Sequence, residues 1–75
     1  MEWQPLASKM FLAAAHDTER HILYLRFQSG DVYRYFDFPG VEYREFLNAE
    51  SHGRYFLDHI RDRFRYERMA KLRTV

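Results

Sequence analysis

A chain of 75 residues with a net charge of +1 and no cysteine has room for one hydrophobic core, because two would leave each half too short to fold without a metal or disulfides. The missing thiols exclude a disulfide framework and a thiolate zinc site, so the expected address is cytoplasmic, and no stretch approaches the roughly 18 apolar residues needed to cross a membrane. Seven Phe, six Tyr and one Trp must supply much of the core, so each ring is expected inside first, with Tyr the natural exception because its hydroxyl tolerates water.

The opening segment, Met1-Glu2-Trp3-Gln4-Pro5, lacks the charged and apolar regions of a secretory leader. Met10-Phe11-Leu12-Ala13-Ala14-Ala15 is continuously apolar without a clear period, and is expected to form a first strand. Asp17-Thr18-Glu19-Arg20 marks a polar turn. Leu23, Leu25 and Phe27 then alternate with Tyr24 and Arg26 at the period of a half-buried strand. Ser29-Gly30 signals a hairpin, residues 32–38 return as a third strand rich in aromatic residues, and Pro39-Gly40 ends the sheet. Tyr43, Phe46 and Leu47 recur at helical spacing, which predicts a short amphipathic helix ending near Asn48 or Ala49. Ser51 then caps a second helix, whose apolar stripe is Phe56, Leu57, Ile60 and Phe64. The expected architecture is one α+β domain over residues 1–75, a three-stranded antiparallel meander followed by two helices packed on one face (β-β-β-α-α).

Two segments, Phe27-Gln28-Ser29-Gly30-Asp31-Val32-Tyr33-Arg34-Tyr35 and Ala49-Glu50-Ser51-His52-Gly53-Arg54-Tyr55-Phe56, together with the Pro39 turn, Tyr43 and Ile60-Arg61, resemble the KTSC domain in order and spacing. The likeness runs from about Phe11 to Arg68. That family occurs alone or at the C-terminal end of some lysyl-tRNA synthetases, which implies by analogy an RNA-binding role. The chain departs from the family pattern at Ala15-His16, where Gly-Tyr is frequent, at Leu57, where Asn is common, and at Phe64, where Tyr is common.

Hairpin register decides which face carries the aromatic pair Tyr33 and Tyr35. A three-residue loop, Gln28-Ser29-Gly30, sets Leu25 opposite Tyr33 and Leu23 opposite Tyr35, with both tyrosines on the core face. A two-residue loop would instead gather Tyr24, Arg26, Tyr33 and Tyr35 on the opposite face, an aromatic and basic surface suited to stacking bases. Turn chemistry favours the first.

The net charge conceals an asymmetry: residues 1–50 hold five basic and eight acidic side chains (−3), and residues 51–75 hold seven and three (+4). At about 100° per residue along the second helix, Arg54, Arg61, Arg65 and Arg68 fall within one narrow stripe beside the apolar face, able to follow a phosphate backbone. The bland alternative is neutralisation by Asp58, Asp62, Glu42, Glu45 and Glu50. Arg68, Lys71 and Arg73 have the fewest obvious partners. Ser51, Gly53 and Arg54 form a candidate anion site at a helix N-terminus, against the alternative that Ser51 simply caps and Gly53 permits close packing. His16, His21, His52 and His59 lack the i, i+4 spacing of a helical metal pair, although His52 and His59, seven apart, fall on a common helical face.

Neither a catalytic constellation nor a cofactor motif stands out. The expected function is a non-catalytic nucleic-acid-binding accessory module with RNA as the partner. Arg54, Arg61, Arg65 and Arg68 would meet phosphates, with Tyr24, Tyr33 or Tyr35 against bases. The alternative is a protein-interaction or homodimerising module, in which the −3 part of one copy meets the +4 part of another.

Overall fold

The strand periodicity centred on Leu23 and Leu25 nucleates a sheet in which every neighbour is antiparallel. The computed structural model describes residues 1–69. Their order is β1 (Gln4–Pro5), β2 (Phe11–Asp17), β3 (Ile22–Phe27), β4 (Val32–Tyr35), α1 (Gly40–Asn48), α2 (His52–His59) and β5 (Tyr66–Arg68). The five strands lie in sequence order, β1 to β5, as a continuous meander. The α+β architecture and the two successive helices match expectation. The strand count does not: β1 and β5 are added at the sheet's two edges, and β5 follows the helices.

Gly30 fixes the register. Its φ of 94° lies in the left-handed region that only glycine enters without strain. There its N–H donates to the Phe27 carbonyl at 2.9 Å while the Phe27 N–H donates to the Asp31 carbonyl at 2.9 Å. The loop is therefore the three-residue Gln28-Ser29-Gly30, and Leu25 pairs with Tyr33 and Leu23 with Tyr35. Side chains directly opposite share a face, so Tyr33 and Tyr35 lie with the leucines on the helix side.

The unperiodic run in β2 has a local cause. Phe11 pairs with Phe27 and Ala13 with Arg26, which leaves Leu12 as an extra residue in a bulge, 43% exposed. The bulge lets Phe11 and Ala14, three apart, both face the core. Ala13 and Ala15 consequently point to the other side of the sheet.

The core lies between the sheet and the helices, built from Phe11, Ala14, Leu23, Leu25, Tyr35, Phe38, Phe46, Phe56 and Ile60. Phe27 and Phe64 pack against it while only partly buried. Helix α1 starts without a side-chain cap, its first amides at Glu42 and Tyr43 donating to the Pro39 carbonyl, and it buries Phe46 as its spacing predicts. Ser51 caps α2, its Oγ accepting from the Arg54 N–H at 3.2 Å. Gly53 packs against Met10, whose Cε would lie 3.4 Å from an added Cβ.

Helix α2 ends at His59, before the predicted stripe is complete. Ile60 is the C-cap at φ −117°, ψ −52°, its N–H still donating to the Phe56 carbonyl, and the Arg63 and Phe64 amides turn back to its own carbonyl. No glycine or proline stops the helix here. The competitor is the open edge of β4: the Phe36 N–H donates to the Arg65 carbonyl, and Tyr66, Glu67 and Arg68 pair with Tyr35, Arg34 and Tyr33. Satisfying a sheet edge outweighs the small helix propensity of these residues. Phe64 still packs inward, its ring 4.7 Å from that of Phe38, but from a turn.

Phe56 meets Phe11, Phe27 and Tyr35 edge-on at 5.3 to 5.8 Å between ring centroids. Removing this ring leaves a cavity at the junction of helix and sheet, so Phe56→Ala should lower unfolding free energy by about 3 to 5 kcal/mol, measured from urea titration midpoints.

Candidate nucleic-acid interface

Alternation along the strands divides the predicted site residues between two faces. On the helix-free face stand Tyr24 and Arg26 of β3 with Arg34 of β4, since Tyr24 pairs with Arg34 and Arg26 with Val32. Trp3, just before β1, reaches over this face: its ring lies 6.5 Å from that of Tyr24, edge-on, and the Arg26 guanidinium sits 4.6 Å from the indole centroid. Ala13 and Ala15, which pair with Arg26 and Tyr24, are buried on this same face. The Arg26 Nε is buried with no hydrogen-bond partner among the described residues, its charge offset by the indole face.

The pattern continues across the sheet. Phe36 follows β4 on the same face, with Arg34 5.4 Å and Arg65 4.8 Å from its ring centroid. Glu67, opposite Arg34 on β5, accepts from its Nε at 2.8 Å and also bonds its Nη2. That hydrogen bond is the main reason the Arg34 guanidinium binds its proton even more firmly than usual, with a lesser contribution from Tyr24. The face thus reads Trp3, Arg26, Tyr24, Arg34, Phe36, Arg65 from one edge to the other, three guanidiniums against the Glu67 carboxylate. Flat rings and guanidinium planes at this spacing can stack planar groups and attract anions.

Tyr33, Tyr35, Arg61 and Arg68 lie on the other side of the sheet. Tyr35 belongs to the core, whereas Tyr33 is only partly buried. Beside them Tyr66 of β5 is 56% exposed. With Phe27, Ser29, Asp31, Phe56 and Arg61 these tyrosines line a cleft of about 300 Å³. Burial first, and the neighbouring phenols of Tyr33 and Tyr66 second, push the Tyr35 hydroxyl far above its ordinary range, so it remains a neutral group. Arg68 Nη2 donates to Asp31 Oδ1 at 3.0 Å.

The single arginine stripe is therefore a correction. It required α2 to extend through Arg68, and the helix ends at His59. Arg65 faces the helix-free side, Arg61 and Arg68 the cleft, and Arg54 stays on α2. The proposed neutralising partners differ as well. Glu42, 7% exposed, takes Arg63, which was not part of the stripe, at 2.8 Å. Arg61 pairs with the adjacent Asp62 at 3.7 Å. Lys71 and Arg73 lie outside the described residues.

At the N-terminus of α2, Ser51, Gly53 and Arg54 border a shallow groove together with Ser8, Lys9 and Met10. Ser51 spends its hydroxyl on the cap, and Gly53 its missing Cβ on Met10. The histidines serve separately: His16 Nε2–H donates to the Phe38 carbonyl at 2.7 Å and its ring stacks on Tyr43. His52 Nδ1–H donates to the Phe46 carbonyl at 3.0 Å, and His59 packs on Tyr55. Because a carbonyl can only accept, these bonds fix the proton on the named nitrogen of His16 and His52.

Trp3, Arg34, Phe36 and Tyr66 escaped the sequence reading. Their signal was present as alternation: Arg34 and Phe36, two apart, share a face, and Tyr66-Glu67-Arg68 can be read as a short strand. Trp3 carried no such pattern.

This arrangement defines a small α+β module, a five-stranded antiparallel meander backed by two helices, with aromatic and cationic side chains on both sides of its sheet. Residues 7–64 match the family model of the KTSC domain, and the chain belongs to that family. It is similar to a protein of Tsukamurella paurometabola, 39% identical over 83% of this chain and 92% of that protein. The lysine–tRNA ligase of Trichormus variabilis is 36% identical over 73% of this chain, which corresponds to 10% of the ligase. The crystal structure of a KTSC domain protein from Yersinia pestis superposes with a TM-score of 0.89 at 26% identity, covering 92% of this chain and 97% of the other. Among the described residues no helix is long and apolar enough to cross a membrane.

Tyr55 offers a pH test of the helix pair. Its hydroxyl lies 3.3 Å from Glu42 Oε2 and 3.5 Å from Glu45 Oε1, and burial, then these two carboxylates, push it up to about 12 from 10. The folded state thus keeps this proton where the unfolded chain loses it. Its contribution is complete below pH 10 and is lost as pH rises toward 12. Urea midpoints should fall across that window, and less steeply in Tyr55→Phe, which has no proton to lose.

Proposed function

We propose that this domain is a non-catalytic accessory module that binds single-stranded RNA on the helix-free face of its sheet. The observation that carries the reading is the alternation of rings and guanidiniums there, from Trp3 and Arg26 through Tyr24 and Arg34 to Phe36 and Arg65. Bases stack on exposed aromatic rings and on guanidinium planes, while the same arginines attract phosphates. Support comes also from a relative named as a lysine–tRNA ligase, which shares the domain over 10% of its length. In this reading Tyr24 stacks on a base, and Arg26 and Arg65 meet phosphates. A sheet surface of this kind favours unpaired strands, since a duplex hides its base faces.

A protein-interaction or homodimerising role is the second reading, favoured by β5, an edge strand whose three residues are all exposed and able to pair with another strand.

Titration of a short single-stranded RNA at several salt concentrations separates the two. On the RNA reading, affinity falls with salt, and Arg65→Ala reduces the log–log slope by about 0.7, the value for one lost single-strand phosphate contact. Tyr24→Ala weakens binding roughly fivefold to a hundredfold, because stacking of one base contributes about 1 to 3 kcal/mol. Affinity no better than about 10⁻⁴ M at low salt would overturn the RNA reading, and a concentration-dependent increase in mass would then favour self-association.

A further inference from the structure

The helix-side cleft stands apart from the surface just proposed, and its construction differs. Its back wall is formed by Tyr33, Tyr35 and Tyr66. Tyr33 and Tyr35 are nearly parallel, 26° apart, and Tyr66 is tilted 34° to 48° against them, with ring centroids 5.7 to 6.4 Å apart. Phe27 and Phe56 stand nearly perpendicular to this wall, at 73° to Tyr33 and 80° to Tyr35 respectively, and close its inner side. Packing of the core accounts for Tyr35 and Phe56. It does not account for Tyr66, a large ring 56% exposed on an edge strand.

The polar lining gives the cleft its sign. Ser29 Oγ donates to Asp31 Oδ2 at 3.0 Å, and Arg68 Nη2 donates to Asp31 Oδ1 at 3.0 Å. Arg68 thereby offsets the charge of the carboxylate, and Arg61, which lines the cleft, adds a guanidinium whose contact with the adjacent Asp62 is long, 3.7 Å, and turned toward solvent, the Asp62 side chain being 83% exposed. An aromatic recess with an uncompensated carboxylate would suit an ammonium group. With Asp31 offset by Arg68 and Asp62 outside the lining, Arg61 is the charge the cleft presents, and the favoured occupant is a flat ring joined to an anion. The volume, about 300 Å³, is at the small end of ligand pockets, enough for one such unit.

We infer that this cleft binds a single nucleotide, the base stacked against Tyr66 and Tyr33 and the phosphate held by Arg61, at a site separate from the helix-free face. A free mononucleotide and the terminal unit of an RNA strand share this chemistry. The inference does not rest on the RNA reading, because the two sites have no side chain in common.

AMP is the probe, followed by chemical-shift perturbation in the intact protein. Saturable shifts at Tyr33 and Tyr66 are expected at millimolar AMP. Arg61→Gln should weaken AMP by roughly tenfold while leaving adenosine little changed, since a charged hydrogen bond to phosphate is lost. Tyr66→Ala should weaken both ligands by roughly fivefold or more, and Tyr66→Phe should retain them. Tyr24→Ala and Arg65→Ala should leave AMP binding intact, so that failure of the helix-free face as an RNA platform is distinguishable from failure of the cleft. A trinucleotide that displaces AMP from the cleft identifies a strand end as the occupant, and one that leaves AMP bound identifies the free nucleotide. Absence of saturable shifts in the folded wild-type protein, or choline binding in preference to AMP, would overturn the assignment.

Discussion

The left-handed turn at Gly30 is the constraint on which the rest of this structure depends. Because side chains alternate along a strand, a loop longer or shorter by one residue would turn β4 over against β3. With Gln28-Ser29-Gly30 as the loop, Tyr33 and Tyr35 join Leu23 and Leu25 toward the helices, while Arg34 joins Tyr24 and Arg26 on the open side. Tyr35 then fills the core between sheet and α2, and Tyr33 reaches its rim. Any other side chain at position 30 would have to adopt φ 94°, where its Cβ meets backbone atoms.

The second determinant is the edge of β4. A three-stranded meander would end there with unpaired amides and carbonyls, and the chain covers them by abandoning the helix after His59 and returning as β5. Glu67 meets Arg34 across the new pair, and Arg63 reaches back to the nearly buried Glu42, which fastens the intervening turn to α1. A buried carboxylate is costly unless paired, and here Arg63 and Tyr55 supply its partners. This return gives each sheet face its last aromatic and cationic residues: Arg65 outside, Tyr66 and Arg68 inside.

Departures from the family pattern fall at defined places. His16, where Tyr is frequent in relatives, still provides a flat ring over Tyr43 and donates to the Phe38 carbonyl. Leu57, where Asn is common, stands 39% exposed on α2. Phe64 packs on Phe38, where a tyrosine would need a partner for its hydroxyl. None of these three lines the helix-side cleft or belongs to the ring and guanidinium run on the opposite face, whereas Ala15, where Gly is frequent, lies on that face opposite Tyr24.

The sequence by itself determined the features that arise from neighbours a few residues apart. Alternation at Leu23, Leu25 and Phe27, glycine at the turn, helical spacing of Tyr43, Phe46 and Leu47, and a serine cap at Ser51 each act through local geometry, and each appears in the structure. It also carried the family resemblance, because the spacing of Gly30, Tyr33, Tyr35, Pro39 and Ser51 reflects those same local requirements. Tertiary structure decided what depended on distant partners. Tyr66, Glu67 and Arg68 become a strand because β4 has an open edge, a fact absent from their own sequence, and this dissolves the arginine stripe that helical periodicity predicts. Trp3 acquires its place from Tyr24 and Arg26, which lie across the sheet from it. Of the candidate residues, Tyr24 and Arg26 were legible as surface from alternation alone, whereas the grouping of Tyr33, Tyr35, Arg61 and Tyr66 around one cleft required the fold to bring Tyr66, 31 positions beyond Tyr35, onto the neighbouring strand and Arg61 onto the adjoining turn.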